Sequence, residues 1–251
     1  MFRTQEEKMA SITQTQMNLC EDCPKSWIYY RKKVPKTEGD MRYAQAGIIV
    51  HESIEQYFKN MPDDPHSGLI SGTFNDILNR KCEPYREQLK ELNNRKVKCA
   101  ENFIKFELNR MKMCSRYRPT FLEEKMNANI NGVDYFCIID SFWAEEGILV
   151  DWKTGQKVTL DVHDYIQGSI EKMVLEARGY KVNKVIFVML LTGQSMEMSH
   201  QPPNFIHDRA IQMIKYWQTG TFPKIKGPKC NFCNWNLRCS IEEMNKCLWR
   251  L

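Results

Sequence analysis

Two aspartates and a lysine in this chain are spaced so that they can share one face of a β-hairpin. The run VDYFCIIDSFW carries Asp140 in an otherwise apolar strand pattern. AEEG then makes a turn centred on Glu145 and Glu146, and ILVDWK returns with Asp151 and Lys153. Strand side chains alternate faces, so Asp151 and Lys153 point the same way. Asp140 and Asp151 are equally far from the turn centre, and a symmetric hairpin sets them opposite one another, Cβ atoms about 4.5–5.5 Å apart. Carboxylates that close in a partly apolar place repel, and either one takes a proton or a cation sits between them. Mg²⁺ or Mn²⁺, which prefer oxygen ligands, would resolve the conflict. Lys153 would then hold or deprotonate an attacking water. Two other readings stay open: a plain salt bridge at a strand end, and a bulge at Gly147 that slips the register and turns Asp140 to the other face.

A second chemistry is suggested by the cysteines, ten in all. Cys82, Cys99, Cys114 and Cys137 stand singly in helical or strand patterns and read as packing residues. The other six gather at the two ends, in CEDCPKSWIYYRKK (Cys20, Cys23), in CNFCNWNLRCS (Cys230, Cys233, Cys239) and at Cys247. Two Cys-x2-Cys pairs, with Cys20 included and Cys239 idle, would make a four-cysteine Zn²⁺ site. Cys23, Cys230, Cys233 and Cys239 would instead supply the four thiolates of a [4Fe-4S] cluster. Either choice ties the chain ends across about two hundred residues of sequence. Just after Cys23, WIYYRKKVPK interleaves Trp27 and Tyr30 with Arg31, Lys32 and Lys33, a mixture that can stack on bases and contact phosphates. An amphipathic helix with a solvated face has the same composition.

These residues need elements to position them. Residues 20–60 read as helical, most clearly in GIIVHESIEQYFKN (47–60), and NMPDDPHSG (60–68) reads as a loop. Helical text from about Thr73 to Arg116 is interrupted near Pro84. The pattern then becomes TFLEEKMNANI, an Asn131-Gly132 turn, VDYFCIIDSFW, AEEG and ILVDWK, predicting three strands and two hairpins. LDVHDYIQGSIEKMVLEARGY predicts a helix ending at Arg178-Gly179, KVIFVMLLTG a buried strand, and NFIHDRAIQMIKYWQTG a further helix. The expectation is one α/β domain over 1–251 with a central mixed sheet flanked by helices: a helical part about 20–116, a sheet core about 119–200, and a carboxy-terminal cysteine segment about 205–247.

Composition sets the class. A chain of 251 residues with 42% hydrophobic content can bury a sizeable core, and its formal charge of +5 is compatible with a phosphate-rich partner. There is no apolar run long enough to span a bilayer, so no membrane partner is expected. The polar opening MFRTQEEKMASITQTQ does not read as a secretion signal, and ten cysteines without one predict a reducing, cytoplasmic setting.

The residues also resemble a family. CIID followed by VDWK resembles the D…(D/E)-x-K signature of the PD-(D/E)XK nucleases, with Ile139 where a proline usually precedes the first Asp. GIIVHESIE resembles the G-x-x-x-H helix of their RecB-like branch, which implies His51 as a metal ligand; by itself it would read as an ordinary helix histidine. The helix after DWKTG matches that branch at Gln167 but carries Glu171 where relatives have Tyr. The two share one helix face, while Ile166, Ile170, Met173, Val174 and Ala177 take the core side. A Cys-Pro before an aromatic-basic helix, with a terminal C-x2-C-x5-C, resembles the iron-sulfur RecB-like nucleases: CRISPR-associated Cas-four proteins, the AddB nuclease domain and the exonuclease-five group. The resemblance runs from Cys23 to Cys239.

It implies a restriction-endonuclease-like core and Mg²⁺- or Mn²⁺-dependent hydrolysis of DNA, by an exonuclease acting on single strands or duplex ends. The implied metal ligands are His51, Asp140, Asp151 and the Trp152 carbonyl; Glu123 or Glu124 on the preceding strand would add a carboxylate, or either would be solvated. Lys153 and Gln167 join Asp140 and Asp151 as catalytic residues. The implied iron-sulfur ligands are Cys23, Cys230, Cys233 and Cys239; Cys20 and Cys247 have no assigned task. DNA is the implied partner, and the relatives include recombination and CRISPR machinery and proteins that assemble as homo-oligomers. Two rival readings remain, a non-catalytic DNA-binding adaptor and a zinc-stapled interaction module.

Overall fold

A computed structural model describes residues 11–36, 42–87, 90–112, 114–199, 201–202 and 204–248, without the side chains of residues 67, 91 and 243–248. Cys247 thus lies outside the described side chains. The chain divides into two compact units, one of residues 41–128 and 136–201, the other of 1–40, 129–135 and 202–251.

The larger unit is built on a mixed sheet, as the pattern predicts. β2 (Phe121–Ile130) and β3 (Val133–Trp143) form the first hairpin, and β4 (Ile148–Lys153) pairs antiparallel with β3. β5 (Lys184–Met189) lies parallel to β4, and β6 (Gln194–Glu197), a short strand absent from the sequence reading, closes against β5. Three helices, α3 (Arg42–Asn60), α4 (Ser67–Cys82) and α5 (Asn93–Arg110), follow one another before the sheet. The helical text breaks at Pro84 into a single 3₁₀ turn, Glu83–Tyr85, because proline supplies no N–H for an interior helical bond. The apolar faces of the three helices enclose Tyr57, Phe58, Phe74 and Phe103 against Trp143 and Trp152 of the sheet. Phe103 meets Trp152 edge-on at 5.2 Å and stacks on Phe74 at 4.2 Å, geometries that suit ring quadrupoles.

Helix α6 (Val162–Ala177) crosses between β4 and β5. Asp161 and Asp164 form a capping box at its start, which satisfies otherwise orphaned N–H groups. Gly168 brings α6 down onto the sheet. A Cβ there would stand 3.0 Å from Val185 Cγ1 and 3.1 Å from Phe187 Cζ, so no larger residue fits without displacement. That close approach outweighs the roughly 1 kcal/mol a helical glycine costs, and it carries Gln167 and Glu171 to the charged end of β4.

The smaller unit gathers β1 (Ile12–Thr13), α1 (Gln14–Asp22), α2 (Pro24–Arg31), α7 (Phe205–Thr219) and α8 (Asn236–Leu248). Cys23, extended at φ −169°, separates α1 from α2, and Pro24 opens α2 where its missing N–H costs nothing. Trp27 corrects the sequence reading. It is fully buried, packed on Trp217 at 6.3 Å and Phe222 at 5.7 Å. It fills the unit's core and cannot stack on a base. Arg31 lies over the Trp217 ring at 5.0 Å. Tyr30, Lys32 and Lys33 remain exposed.

Candidate active site

The β3–β4 register decides where the carboxylates point. Ser141 pairs with Val150, Phe142 with Leu149 and Trp143 with Ile148. The next step in that register sets Asp140 against Asp151. The turn is the symmetric one, with Gly147 at φ 65°; a Cβ on Gly147 would come within 2.5 Å of the Lys181 carbonyl. Gly147 therefore closes the turn without slipping the ladder.

Two groups of polar side chains converge here. In the first, His51 of α3 has Nδ1 3.4 Å from Glu123 Oε1 and 3.7 Å from Asp140 Oδ2. One ligand atom from each of His51, Glu123 and Asp140 lies within 4.8 Å of the others. Two oxygens and an imidazole nitrogen suit Mg²⁺ or Mn²⁺ in chemistry. Glu123 rather than Glu124 takes this place, and Glu124 is exposed. Glu123 sits at φ 49°, in the left-handed region, and the strand's alternation breaks there. Such a backbone costs about 1–3 kcal/mol and tends to persist where a site requires it. No strand pattern would single out Glu123 over its neighbour.

In the second group, Lys153 Nζ forms an ion pair with Asp151 Oδ1 at 2.8 Å. Lys153 donates to Gln167 Oε1 at 2.5 Å. Gln167 Nε2 donates to Asp151 Oδ2 and, at 2.9 Å, to Glu171 Oε1. Trp152 joins the two groups through its backbone N–H, donated to Asp140 Oδ2 at 3.0 Å. Its indole donates to Ser141 Oγ. Glu171 is buried, and its Oε2 has no hydrogen-bond partner among the described residues.

Protonation follows from crowding. Burial and the Asp151 charge push the Asp140 carboxyl up to about 7. Burial likewise holds Glu171 well above the usual carboxylate range, with Asp151 and Asp140 adding to the effect. For His51, burial favours the neutral ring, but Glu123 and Asp140 outweigh it and raise it to about 9. Burial also opposes the Lys153 charge, and Asp151 more than restores it. Burial and crowding thus favour a retained proton on Asp140 and on Glu171, and a cation can take the place of such a proton.

In the smaller unit, Cys23, Cys230, Cys233 and Cys239 line one cavity of about 210 Å³ together with Tyr29 and Trp235. None of the described cysteines is in a disulfide. The Ile225 N–H points at Cys23 Sγ at 3.4 Å, the kind of contact that stabilises a thiolate ligand. Burial raises the Cys233 thiol, and the other three cysteines contribute. Cys20 is buried, pushed up to about 12, and does not line this cavity.

Residues 11–240 match the family model of the PD-(D/E)XK nuclease superfamily. The chain belongs to that superfamily. No curated protein matches it. Among solved structures it is similar to a "Putative exonuclease" from Eubacterium rectale, at 14% identity over 94% of each chain with a TM-score of 0.48. Among the described residues, no helix of this superfamily member is long and apolar enough to cross a membrane.

Proposed function

We propose that this nuclease-superfamily protein hydrolyses DNA phosphodiester bonds with Mg²⁺ or Mn²⁺, acting as an exonuclease on single strands or duplex ends. The observation that carries the reading is Lys153, ion-paired to Asp151 and aligned by Gln167, beside three donors that fit a cation. His51, Glu123 and Asp140 would hold the cation, with Asp151 and the Trp152 carbonyl as further ligands. A bound divalent ion would polarise the scissile phosphate and acidify the attacking water. Lys153 orients that water and offsets the charge that grows on the phosphate oxygens. Gln167 keeps the amine pointed there by accepting one of its protons.

The four cysteines would hold a [4Fe-4S] cluster whose role is to tie the chain ends. All four line one cavity, which supports a single group shared among them.

The test is end-labelled single- and double-stranded DNA incubated with Mg²⁺, Mn²⁺ or EDTA, beside Lys153→Ala. Cation-dependent shortening by the wild type alone supports the reading. Equal activity in the variant, or none in the wild type under any cation, overturns it. The cluster is tested by colour. Anaerobically purified protein should be brown, Cys233→Ser should bleach it, and a colourless protein containing zinc would replace iron with zinc in the reading.

A further inference from the structure

The Gln167 amide is the pivot of the charged network, and its orientation decides whether Lys153 is held. A carboxamide has one face that accepts and one that donates two N–H bonds. Here the accepting face meets an ammonium, and the donating face meets two carboxylates, Asp151 Oδ2 and Glu171 Oε1. Turned over, the NH₂ would face the Lys153 ammonium and the carbonyl would face both acids. The Lys153 and Asp151 contacts would then oppose like partners. With Glu171 removed, the flipped amide meets one fewer acid, and the native amide loses its contact to Oε1.

We propose that Glu171 is a positioning residue for the nuclease site: by accepting the second Gln167 N–H it locks the amide so that its carbonyl holds Lys153. The proposal rests on the reading of Lys153 as the catalytic amine. Glu171 sits one helical turn after Gln167, so both side chains leave α6 on the same face. It is 2% exposed, with Oε1 on Gln167 and Oε2 without a hydrogen-bond partner among the described residues. A buried acid is expensive unless it is hydrogen-bonded, and here the bond it accepts comes from Gln167. Oε1 accepts the Gln167 N–H whether or not the carboxyl keeps a proton, as long as that proton sits on Oε2.

The experiment compares the full chain with Glu171→Leu, Glu171→Gln, Gln167→Leu and the Glu171→Leu/Gln167→Leu double variant on end-labelled DNA with Mn²⁺. Loss of one hydrogen bond predicts that Glu171→Leu lowers kcat about tenfold with KM nearly unchanged. Glu171→Gln should recover most of it, because the new carbonyl accepts the same N–H. The double variant should be no slower than Gln167→Leu alone. Wild-type kcat in Glu171→Leu, failure of Glu171→Gln to recover, or additive losses in the double variant would each overturn the proposal.

If Glu171→Leu does not fold, Glu171→Met takes its place. A readout independent of catalysis covers the remaining cases: the two side-chain amide protons of Gln167, followed by NMR hydrogen exchange. Both should be protected in the wild type and in Glu171→Gln, and one should lose protection in Glu171→Met. Unchanged protection in that variant overturns the proposal. A wild type that cuts no DNA but shows this pattern would sink the nuclease reading while leaving the Gln167 lock in place.

Discussion

Two clusters of buried charge lie in the same unit and are compensated very differently. At the end of α5, Glu107 and Arg110 form a closed pair. Arg110 Nε and Nη2 take the two carboxylate oxygens at 2.8 and 2.6 Å, and Nη2 also donates to the Tyr117 carbonyl. The guanidinium lies 4.0 Å from the Trp143 ring centre and 4.9 Å from that of Tyr117. One cation meets one anion, and the aromatic faces replace water. At the end of β4 the sum does not close. Four acids, Asp140, Asp151, Glu171 and Glu123, crowd two bases, Lys153 and His51, and burial with that crowding raises Asp140 and Glu171 instead of leaving each with a cation of its own. A closed pair specifies structure; an unclosed set stores a demand for something from outside.

The largest effects should separate the two clusters by kind. Lys153→Ala and Asp151→Ala are expected to cut DNA cleavage about a thousandfold or more, while thermal unfolding stays cooperative. Arg110→Met leaves Glu107 buried without its cation and should cost about 3–5 kcal/mol of stability, read from urea unfolding. Its activity per folded molecule should be unchanged. If Arg110→Met impaired cleavage by folded protein, or Lys153→Ala unfolded the chain as severely, the division between the clusters would fail.

The same contrast explains what could be read from sequence. The strands and the symmetric turn were legible because period-two alternation and hairpin geometry are local. The capped helix after β4 was legible for the same reason. Glu107–Arg110 was not: at i, i+3 on a helix it looks like an ordinary exposed pair, and only the aromatic wall around it makes it a core element. Trp27 was misplaced because a cationic neighbourhood suggested a DNA face, whereas indole area is best spent in a core. Glu123 depends on a left-handed residue inside a strand, which no pattern announces. Glu171 looked like a defect in a motif, and its meaning appears only when Gln167 is seen between it and Asp151.

A smaller effect concerns protons. In the cation-free site Asp140 titrates near 7 and His51 near 9, so a cation must displace protons to bind. Below about pH 7 both groups hold one, and between about 7 and 9 His51 alone does. Mn²⁺ affinity should therefore rise with pH, steeply at first, then about tenfold per unit, and level off above about 9. Titration calorimetry at several pH values would check this. The Glu107–Arg110 pair predicts no such dependence, and a pH-independent Mn²⁺ affinity would break the claim that the acids are uncompensated.

The smallest effect is the sharpest comparison, since it asks the site to be a liability when empty. The Asp140 carboxyl stands near 7 in the folded chain against an ordinary value of 3.8. A raised carboxyl means that the folded state keeps a proton that the unfolded chain has released. The stability it contributes is full below about 4, declines as pH rises toward 7, and is gone above that. Asp140→Asn removes the charge but keeps an oxygen to accept the Trp152 N–H. In EDTA the variant should equal the wild type near pH 4–5 and melt higher at pH 8, by an amount on the order of 1 kcal/mol. Saturating Mn²⁺ at pH 8 should reverse the order, because only the wild type gains the cation's binding energy. Thermal melts under the two conditions decide it. A variant that melts lower than the wild type in EDTA at pH 8 would mean that Asp140 is already compensated by the chain itself, and the two charged clusters would then be alike after all.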